Sequence, residues 1–327
     1  MTASFLTRRH LVRALGSAGV LAATGSGAIG QTARPVRFIL PVAAGSGVDA
    51  LTRAASQALS RSLGHPVVIE NQPGAGGIIG TQALIKSAPD GYTLSVVSSN
   101  HVVYPSVLKS IPFDPLGDVT PIAVIGGAPM ILAVNPKVPA ANARELIALM
   151  KAKPDTINYA SSGNGTLPHL AAAMFVDEAG VKARHIPYKG VGPMLTDLIS
   201  GQVDFCVVAL GAIQPHLKSG ALRAIGTASL QRSPAAPDIP TFREQGLANY
   251  VVDAWFAVIG PKGMPQVEVT RIHSALVSAF AAPEVKDAMA KQGNTIALTT
   301  PEQAQAYFRS ELAKYAALVK KAGVEPQ

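Results

Sequence analysis

Short apolar runs alternate with longer segments of helical spacing along about the first hundred residues of the chain. In the first such segment the apolar residues recur three to four positions apart, at Leu51, Ala55, Leu59 and Leu63. This spacing places them on one face of a helix. The pattern predicts strands over 36–40, 67–69 and 93–97, with helices over 51–63 and 78–86 between them.

A second set of alternating elements begins after Pro121. It predicts strands over 131–134, 157–160, 205–208 and 224–226, and helices over 143–151 and through Leu170 and Met174. From residue 267 the chain reads as mainly helical, and Pro301 opens the last predicted helix. Strands that alternate with helices form parallel sheets covered on both faces, so the predicted class is α/β with mostly parallel sheets.

Two of the predicted strands end in loops of small residues. The strand over 36–40 leads into Ala43-Ala44-Gly45-Ser46-Gly47, and the strand over 157–160 leads into Ser161-Ser162-Gly163-Asn164-Gly165-Thr166. In open α/β sheets, ligands bind outside the carboxyl ends of the strands, and a helix N-terminus there offers unpaired N–H donors to an anion. Two such termini facing each other across a cleft would suit a small dianion.

Composition narrows the class of protein. The 327 residues are 48% hydrophobic and 15% charged, which excludes intrinsic disorder. The single cysteine, Cys206, excludes a disulfide framework and reads as a small buried hydrophobe. The histidines form no metal-binding motif, and no cofactor is predicted. Lysines and arginines are scattered, so nucleic-acid binding is not expected.

The N-terminus reads as an export signal rather than as part of the fold. Arg8 and Arg9 precede an apolar stretch diluted by glycines, which resembles a twin-arginine signal over 1–30 cleaved near Gly30. Removing the three arginines of this segment lowers the net charge from +8 to +5. The stretch is too short and too rich in glycine for a membrane anchor. The predicted location is therefore the periplasm, with general secretory export left open.

The loops rich in glycine and serine do not match the sequence pattern of a dinucleotide-binding loop or of a serine hydrolase. The segment GAGGIIG at 74–80 does not fit the dinucleotide fingerprint, because Ile79 stands where the third glycine is required. Ser46, Ser161 and Ser162 all lack the Gly-x-Ser-x-Gly pattern of a nucleophile elbow. A triad is defined by geometry rather than by order along the chain, so a secreted hydrolase stays open as an alternative.

Three single residues allow two interpretations each. Asp49 either supports the start of its helix or contacts ligand, directly or through water. His169 either packs internally or faces ligand. Trp255, the only tryptophan, belongs either to the core or to the wall of a cleft.

Seven segments in order resemble one family, the periplasmic solute receptors of tripartite tricarboxylate transporters, also called Bug-type receptors. The resemblance covers nearly all of the chain after residue 35 and includes Arg53 and His169. The segments are PVAAGSGVD at 41–49, ENQPGAGGIIG at 70–80, DGYTL at 90–94, YASSGNGT at 159–166, HIPYKG at 185–190, GQVD at 201–204 and GPKGMP at 260–265.

The resemblance implies a two-lobed periplasmic binding protein of the flytrap type, with two crossover strands as hinge. Lobe 1 is predicted over 34–124 plus 256–327 and lobe 2 over 125–255. The implied function is capture of a small carboxylate, such as a di- or tricarboxylate, an aromatic acid or an acidic amino acid. The implied partners are membrane permease subunits, with the receptor as a monomer and without catalysis. A receptor that signals to a membrane kinase would use the same closed form and stays open.

The resemblance also implies ligand contacts at Ala44, Gly45, Ser46, Ser161, Gly165, Thr166 and His169. The full predicted set of ligand-binding residues adds Asp49, Asn71, Gly76, Ser99, Tyr188 and Asp204. Two positions depart from the family pattern. Val42 stands where the family usually has an aromatic residue, and Ser46 where it has a second glycine. Both changes alter the pocket, so the identity of the ligand does not carry over from relatives.

Overall fold

The computed structural model describes residues 34–74 and 77–321, together with 324 and 326. The predicted export signal over 1–30 and its cleavage site lie outside the described residues, and so does Gly76. Over the part of the chain that is described, no helix is long and apolar enough to cross a membrane.

The first half of the fold follows the predicted order of strand, loop and helix. All four residues of the predicted apolar face, Leu51, Ala55, Leu59 and Leu63, are buried. The third helix of this half, which contains Pro105, was not predicted. The elements are β1 (Val36–Leu40), α1 (Gly47–Leu63), β2 (Val67–Asn71), α2 (Ile78–Ile85), β3 (Thr93–Ser98), α3 (Asn100–Val107) and β4 (Val119–Val134).

The second half repeats this order before it turns mainly helical. The predicted strands and helices are present, and one long strand, two short strands and two helices add to them. The elements are α4 (Ala143–Ala152), β5 (Asn158–Ser161), α5 (Leu167–Glu178), β6 (Arg184–Pro187), α6 (Val191–Ser200), β7 (Phe205–Ala209), α7 (Leu210–Lys218), β8 (Arg223–Thr227), β9 (Asp253–Pro261), α8 (Gln266–Ala281), α9 (Pro283–Lys291), β10 (Thr295–Ile296) and α10 (Pro301–Lys321).

The described strands join in one mixed sheet, whose main order is β2-β1-β3-β9-β4-β7-β5-β6. Strands β1, β2 and β3 pair in parallel and form what we call the first flank. Strands β5, β6 and β7 also pair in parallel and form the second flank. Every antiparallel pair involves β4 or β9. The flanks are parallel as predicted, and the two crossing strands make the whole sheet mixed.

Strand β4 belongs to both flanks because it is sixteen residues long. Its first part, Val119 to Pro129, pairs with β9, and its last part, Met130 to Val134, pairs with β7. The first-flank strands run in the direction of β4, since β9 is antiparallel to both β3 and β4. The second-flank strands run against β4. The carboxyl ends of the two flanks therefore face each other across the middle of β4.

The register gives the spacing of these facing ends. Ser98, the last residue of β3, lies level with Gly126 of β4 through Phe256 of β9. Ala209, the last residue of β7, lies level with Met130 of β4. Four residues separate these levels, which is about 13 Å along an extended strand.

The prediction that Cys206 is buried is confirmed, and Trp255, for which two interpretations were open, is a core residue that also lines a cavity with Gly127 and Asp253. Cys206 is fully buried in β7 and is a free thiol. Trp255 is buried and packs against Tyr307 and Phe308, with ring centroids 5.5 and 5.0 Å away. Its indole N–H donates to Glu311 Oε2 at 2.9 Å, which satisfies the polar atom of the ring.

Candidate functional site

Loop A, residues 41–46, joins β1 to α1 at the carboxyl end of the first flank. Ala44 and Gly45 are exposed, and Ser46 caps α1 by accepting a hydrogen bond from the N–H of Asp49 at 3.3 Å. Gly45 has a φ of 80°, in the left-handed region that favours glycine. The exposed part of loop A therefore offers backbone groups to the space between the flanks.

The buried carboxylate of Asp49 holds loop A from behind. Its Oδ2 accepts the N–H of Gly45 at 2.9 Å, and its Oδ1 accepts from Arg53 Nε and Asn71 Nδ2, both at 2.9 Å. Burial raises the pKa of Asp49, but the hydrogen bonds from Arg53, Gly45 and Asn71 together bring it below its usual value. Of the two interpretations of Asp49, the structure shows the supporting role at the helix start.

Asn71 completes this network. Its Nδ2 also donates to the carbonyl of Val42 at 3.2 Å, and its Oδ1 accepts from Arg53 Nη2 at 2.8 Å. Both polar atoms of the amide are therefore used inside the protein. Asn71 ties the end of β2 to loop A.

Loop B, residues 72–77, follows β2; residues 75 and 76 lie outside the described part of the chain, and the described part of the loop borders loop A. Gly80, in the first turn of α2, lies so close that a Cβ there would sit 2.8 Å from both Pro41 Cα and the Gln72 carbonyl oxygen. A Cβ on Gly77, whose φ is 122°, would meet the Tyr104 hydroxyl. Only glycine at these two positions lets the start of α2 lie this close to Pro41 of loop A and to Tyr104 of α3.

Ser99 lies where β3 turns into α3, at the same edge of the first flank. It is almost fully buried, and its N–H donates to the carbonyl of Trp255 at 3.1 Å. Ser99 therefore sits beneath the surface on which loops A and B lie.

Loop C, residues 161–166, joins β5 to α5 at the carboxyl end of the second flank. The hydroxyl of Thr166 donates to the carbonyl of Gly163 at 2.7 Å, and the Ser162 hydroxyl donates to Thr166 Oγ1 at 3.2 Å. Thr166 is the N-cap of α5, yet its side chain accepts no capping hydrogen bond. The first turn of α5 therefore keeps donors that a side-chain cap would otherwise occupy.

Ser161 lies at the base of loop C and is 0% exposed. Its Oγ accepts the N–H of Gly163 at 3.2 Å and lies 3.1 Å from the carbonyl of the same residue. It also lies 2.7 Å from Nε2 of His185, a residue that the sequence analysis did not select. His185 stands in the HIPYKG segment of the resemblance, which is the signal that could have found it.

His169 is 7% exposed and stacks face to face on His185, with ring centroids 3.9 Å apart and ring planes 5° apart. Its Nδ1 accepts the N–H of Gly165 at 3.0 Å. Of the two interpretations of His169, the structure shows internal packing, with a hydrogen bond that supports loop C.

The last two candidates lie in different places. Tyr188 follows β6 beside loop C, where its N–H donates to the carbonyl of Ser161 at 3.0 Å and its hydroxyl donates to Asp197 Oδ2 at 2.7 Å. Asp204 precedes β7 and accepts the N–H of Asn158 at 2.8 Å, at the amino ends of β7 and β5. Asp204 thus lies at the opposite end of the parallel strands from Ser161, and the structure does not bring it to loop C.

One contact joins the two sides directly. Gly165 of loop C, with a φ of 70°, lies against Val107 at the end of α3. A Cβ on Gly165 would sit 2.8 Å from Val107 Cβ and 2.9 Å from Cγ2. Loop C of the second flank therefore touches the end of α3 on the first flank.

A family profile described as "Tripartite tricarboxylate transporter family receptor" matches residues 51–324. The chain belongs to this receptor family. The protein BugT of Bordetella pertussis is 37% identical to the receptor over 295 residues, which are 90% of this chain and 90% of BugT.

Solved structures agree with this assignment. The periplasmic binding protein BugD is 33% identical with a TM-score of 0.79, over 90% of this chain and 99% of that one. Rpa4515 of R. palustris with adipate is 29% identical with a TM-score of 0.82, over 90% and 99%. The prediction of a two-lobed α/β binding-protein fold is confirmed.

The three loops offer backbone dipoles rather than basic side chains to an anion. Loops A, B and C contain no lysine or arginine. Each is followed by a helix whose N-terminus carries partial positive charge. Within the described ranges, no group of three His, Cys, Asp or Glu residues is placed to hold a metal ion. The arrangement can bind a small anion through N–H groups.

Proposed function

We propose that the receptor captures a small carboxylate between its lobes in the periplasm and delivers it to the permease of a tripartite tricarboxylate transporter. A dicarboxylate is the first candidate. Support comes from membership of the receptor family and from the adipate in the related Rpa4515 structure.

The observation that carries this proposal is the pair of facing loop-to-helix junctions. Loops A and B begin α1 and α2 on one side, and loop C begins α5 on the other. The N–H groups of Leu167 and His169 lie in the first turn of α5, where no intrahelical acceptor exists. Two carboxylates joined by a short chain match two such positively polarised ends.

We assign ligand contact to the outer atoms of the loops. On lobe 1 these belong to Ala44, Gly45 and Ser46, and on lobe 2 to Gly165 and Thr166. Gly45 and Gly165 already donate their N–H groups to Asp49 and His169, so they would meet the ligand by van der Waals contact or through water. Bridging water can carry part of this contact at little energetic cost. Asp49, Asn71, Ser99, Ser161, His169 and Tyr188 would then act from behind by holding the loops.

The mechanism is closure of two lobes on the ligand. We retain the predicted boundaries, with lobe 1 over 34–124 plus 256–327 and lobe 2 over 125–255. Strands β4 and β9 connect the lobes and act as the hinge. A ligand held by both lobes has a higher affinity for the closed form, and that difference shifts the equilibrium toward closure.

This role requires no bond to be broken, and we propose that the receptor is not an enzyme. The hydrolase alternative rests on Ser161, whose hydroxyl lies close to His185 Nε2. Complete burial of Ser161 argues against a nucleophile there. Turnover of a 4-nitrophenyl ester that is abolished by Ser161→Ala would contradict the proposal.

Thermal unfolding with a panel of carboxylates tests the proposed function. The panel contains adipate, succinate, citrate, glutamate and benzoate. A ligand at 100 times its Kd adds about 2.7 kcal/mol of stability, so a selective rise in Tm is expected. Protein that has been unfolded and refolded in ligand-free buffer serves as the starting material, which removes any ligand carried through purification. A flat panel with this material would refute the proposed ligand class.

A matched pair of variants tests the assigned site. Thr166→Val removes a hydroxyl from loop C, whereas Thr196→Val removes an exposed hydroxyl that donates to the Gly192 carbonyl within α6. To donate to a carboxylate, the Thr166 hydroxyl must turn from the Gly163 carbonyl to the ligand on closure. A lost hydrogen bond to a charged group costs about 1.5–3 kcal/mol, so Thr166→Val should bind at least tenfold more weakly. Thr196→Val should bind like the unmodified receptor. Equal affinities for both variants would place the site elsewhere.

A further inference from the structure

Three aromatic rings stack behind loop C and come from three different elements. Tyr159 of β5 lies 4.9 Å from the ring of His185 of β6, with ring planes 20° apart. His185 in turn stacks on His169 of α5. Both histidines lie outside the set to which we assign direct ligand contact, so the family function gives them no role of its own.

The hydrogen bond from Gly165 determines where His169 carries its proton. A backbone N–H can only donate, so Nδ1 of His169 must accept with a free lone pair. The neutral ring therefore carries its proton on Nε2. At the other end of loop C, His185 Nε2 contacts the Ser161 hydroxyl. Each end of loop C thus rests on one of the two stacked imidazoles.

Protonation of His169 is incompatible with this arrangement. A proton on Nδ1 would point at the N–H of Gly165, so two donors would face each other. Two imidazolium rings with centroids 3.9 Å apart would also repel. His169 stands in the first turn of α5, where the helix dipole disfavours a cation as well.

The groups that face the pair do not offset this cost. They are each other, the Tyr159 phenol and the Ser161 hydroxyl, while the neighbouring Tyr188 is bonded to Asp197. Burial raises the pKa of Tyr159 to about 12, so it stays neutral. Burial lowers the pKa of His169 to about 4, and burial together with the charge of His169 lowers the pKa of His185 to about 4. No carboxylate of the described residues contributes to either pKa.

We propose that His169 and His185 are positioning residues that hold loop C in its binding form only as neutral imidazoles, so that acid weakens ligand binding by releasing the loop. This inference rests on the proposed function, because loop C is assigned to the carboxylate site. It adds an acid-sensitive element that lies behind the ligand-contacting atoms.

The first test compares two replacements of His169 at pH 7. An asparagine side chain would keep an acceptor near the position of Nδ1, since its Oδ1 is equally distant from the backbone, whereas leucine offers none. His169→Asn should bind adipate within about threefold of the unmodified receptor, and His169→Leu at least tenfold more weakly. Unchanged urea midpoints would show that both variants are folded. Equal affinity of His169→Leu and the unmodified receptor would overturn the positioning role.

The second test measures the pH profile against a variant that cannot titrate in this cluster. Adipate ionises in the same way in experiments with His169→Asn/His185→Gln and with the unmodified receptor. The ratio of the two affinities at each pH therefore reports only the protonation of the two histidines. With both pKa values at about 4 and repulsion against a doubly charged pair, only about a third of molecules keep both rings neutral at pH 4. Between pH 7 and pH 4 the unmodified receptor should lose about threefold more affinity. Equal losses, or tighter binding in acid, would overturn the proposal.

A third measurement needs no ligand and separates this inference from the proposed function. Long-range ¹H–¹⁵N NMR at pH 7 should show His169 protonated at Nε2 and bare at Nδ1. A proton on Nδ1 would refute the inference whatever the ligand is. Absence of binding by the unmodified receptor to every carboxylate of the panel would refute the proposed function instead, while the NMR result would still decide the state of His169.

Discussion

Replacing Gly165 by alanine tests the contact between the lobes. Gly165 has a φ of 70°, where alanine costs about 1–2 kcal/mol. The added Cβ would also sit 2.8 Å from Val107 Cβ, and relief of such an overlap costs a further 1–3 kcal/mol, approximately. Under the proposed boundaries Gly165 belongs to lobe 2 and Val107 to lobe 1, so the lobes would relieve the overlap by moving apart. The second cost therefore acts on closure and on affinity.

Gly180 provides the matched control. Its φ is 60°, and no heavy atom lies within 4 Å of an added Cβ, so Gly180→Ala carries the backbone cost without the overlap. In urea unfolding, Gly180→Ala should lose about 1–2 kcal/mol of stability. Its affinity for adipate, measured by calorimetry, should not change.

The two variants should separate in affinity. Gly165→Ala should bind adipate at least tenfold more weakly, since about 1.4 kcal/mol corresponds to a factor of ten. Val107→Ala, which removes Cγ2 at 2.9 Å, should restore part of that loss in the double variant. Equal affinity of Gly165→Ala and Gly180→Ala would refute the reasoning, because the overlap would then have no effect on closure.

Three further predictions concern buried polar groups. Asp49→Ala removes the acceptor of three donors and should cost about 1–3 kcal/mol of stability in urea unfolding at pH 7. Because the pKa of Asp49 is lowered, its contribution to stability should disappear only as the pH falls below about 4. An unchanged urea midpoint at pH 7 would contradict the supporting role of Asp49. Trp255→Phe leaves Glu311 Oε2 without the indole donor, so Tm should fall by an amount equivalent to about 1–3 kcal/mol; no change would contradict this. Burial lowers the pKa of His101 to about 4, so the folded form binds fewer protons than the unfolded chain and stability should fall from about pH 6.5 to pH 4. In urea unfolding at pH 7 and pH 5, His101→Gln should reduce the dependence of the unfolding free energy on pH by up to roughly 1.36 kcal/mol per pH unit. An unaltered dependence would contradict the lowered pKa of His101.

The receptor's helices and strands could be predicted from the sequence because an element that buries one face repeats its apolar residues at the short period of a helix or a strand. The apolar run over 36–40 coincides with β1, and the helical face from Leu51 to Leu63 is buried. Short apolar strands followed by glycine and serine also indicated loops A and C at the carboxyl ends of strands. These features depend on neighbours within a few positions of each other.

Other elements lack such a local signal. Strand β9 is apolar almost throughout because both of its faces are buried, so it shows no alternation. Helix α3 contains Pro105 and packs under α10, which lies about two hundred residues further along the chain. Their structure depends on partners that are distant in sequence.

For the site, the sequence by itself determined the loops, the family and the class of ligand to test. Only the tertiary structure decided which polar atoms are already used inside the protein. The carboxylate oxygens of Asp49 accept hydrogen bonds from Gly45, Arg53 and Asn71. Ser161 is buried against His185, which lies 24 residues further along the chain. Asp204 also adjoins an apolar run of the sequence, but it lies at the amino end of β7, away from loop C. A hydrogen bond depends on distance in space, and strand direction together with register sets that distance.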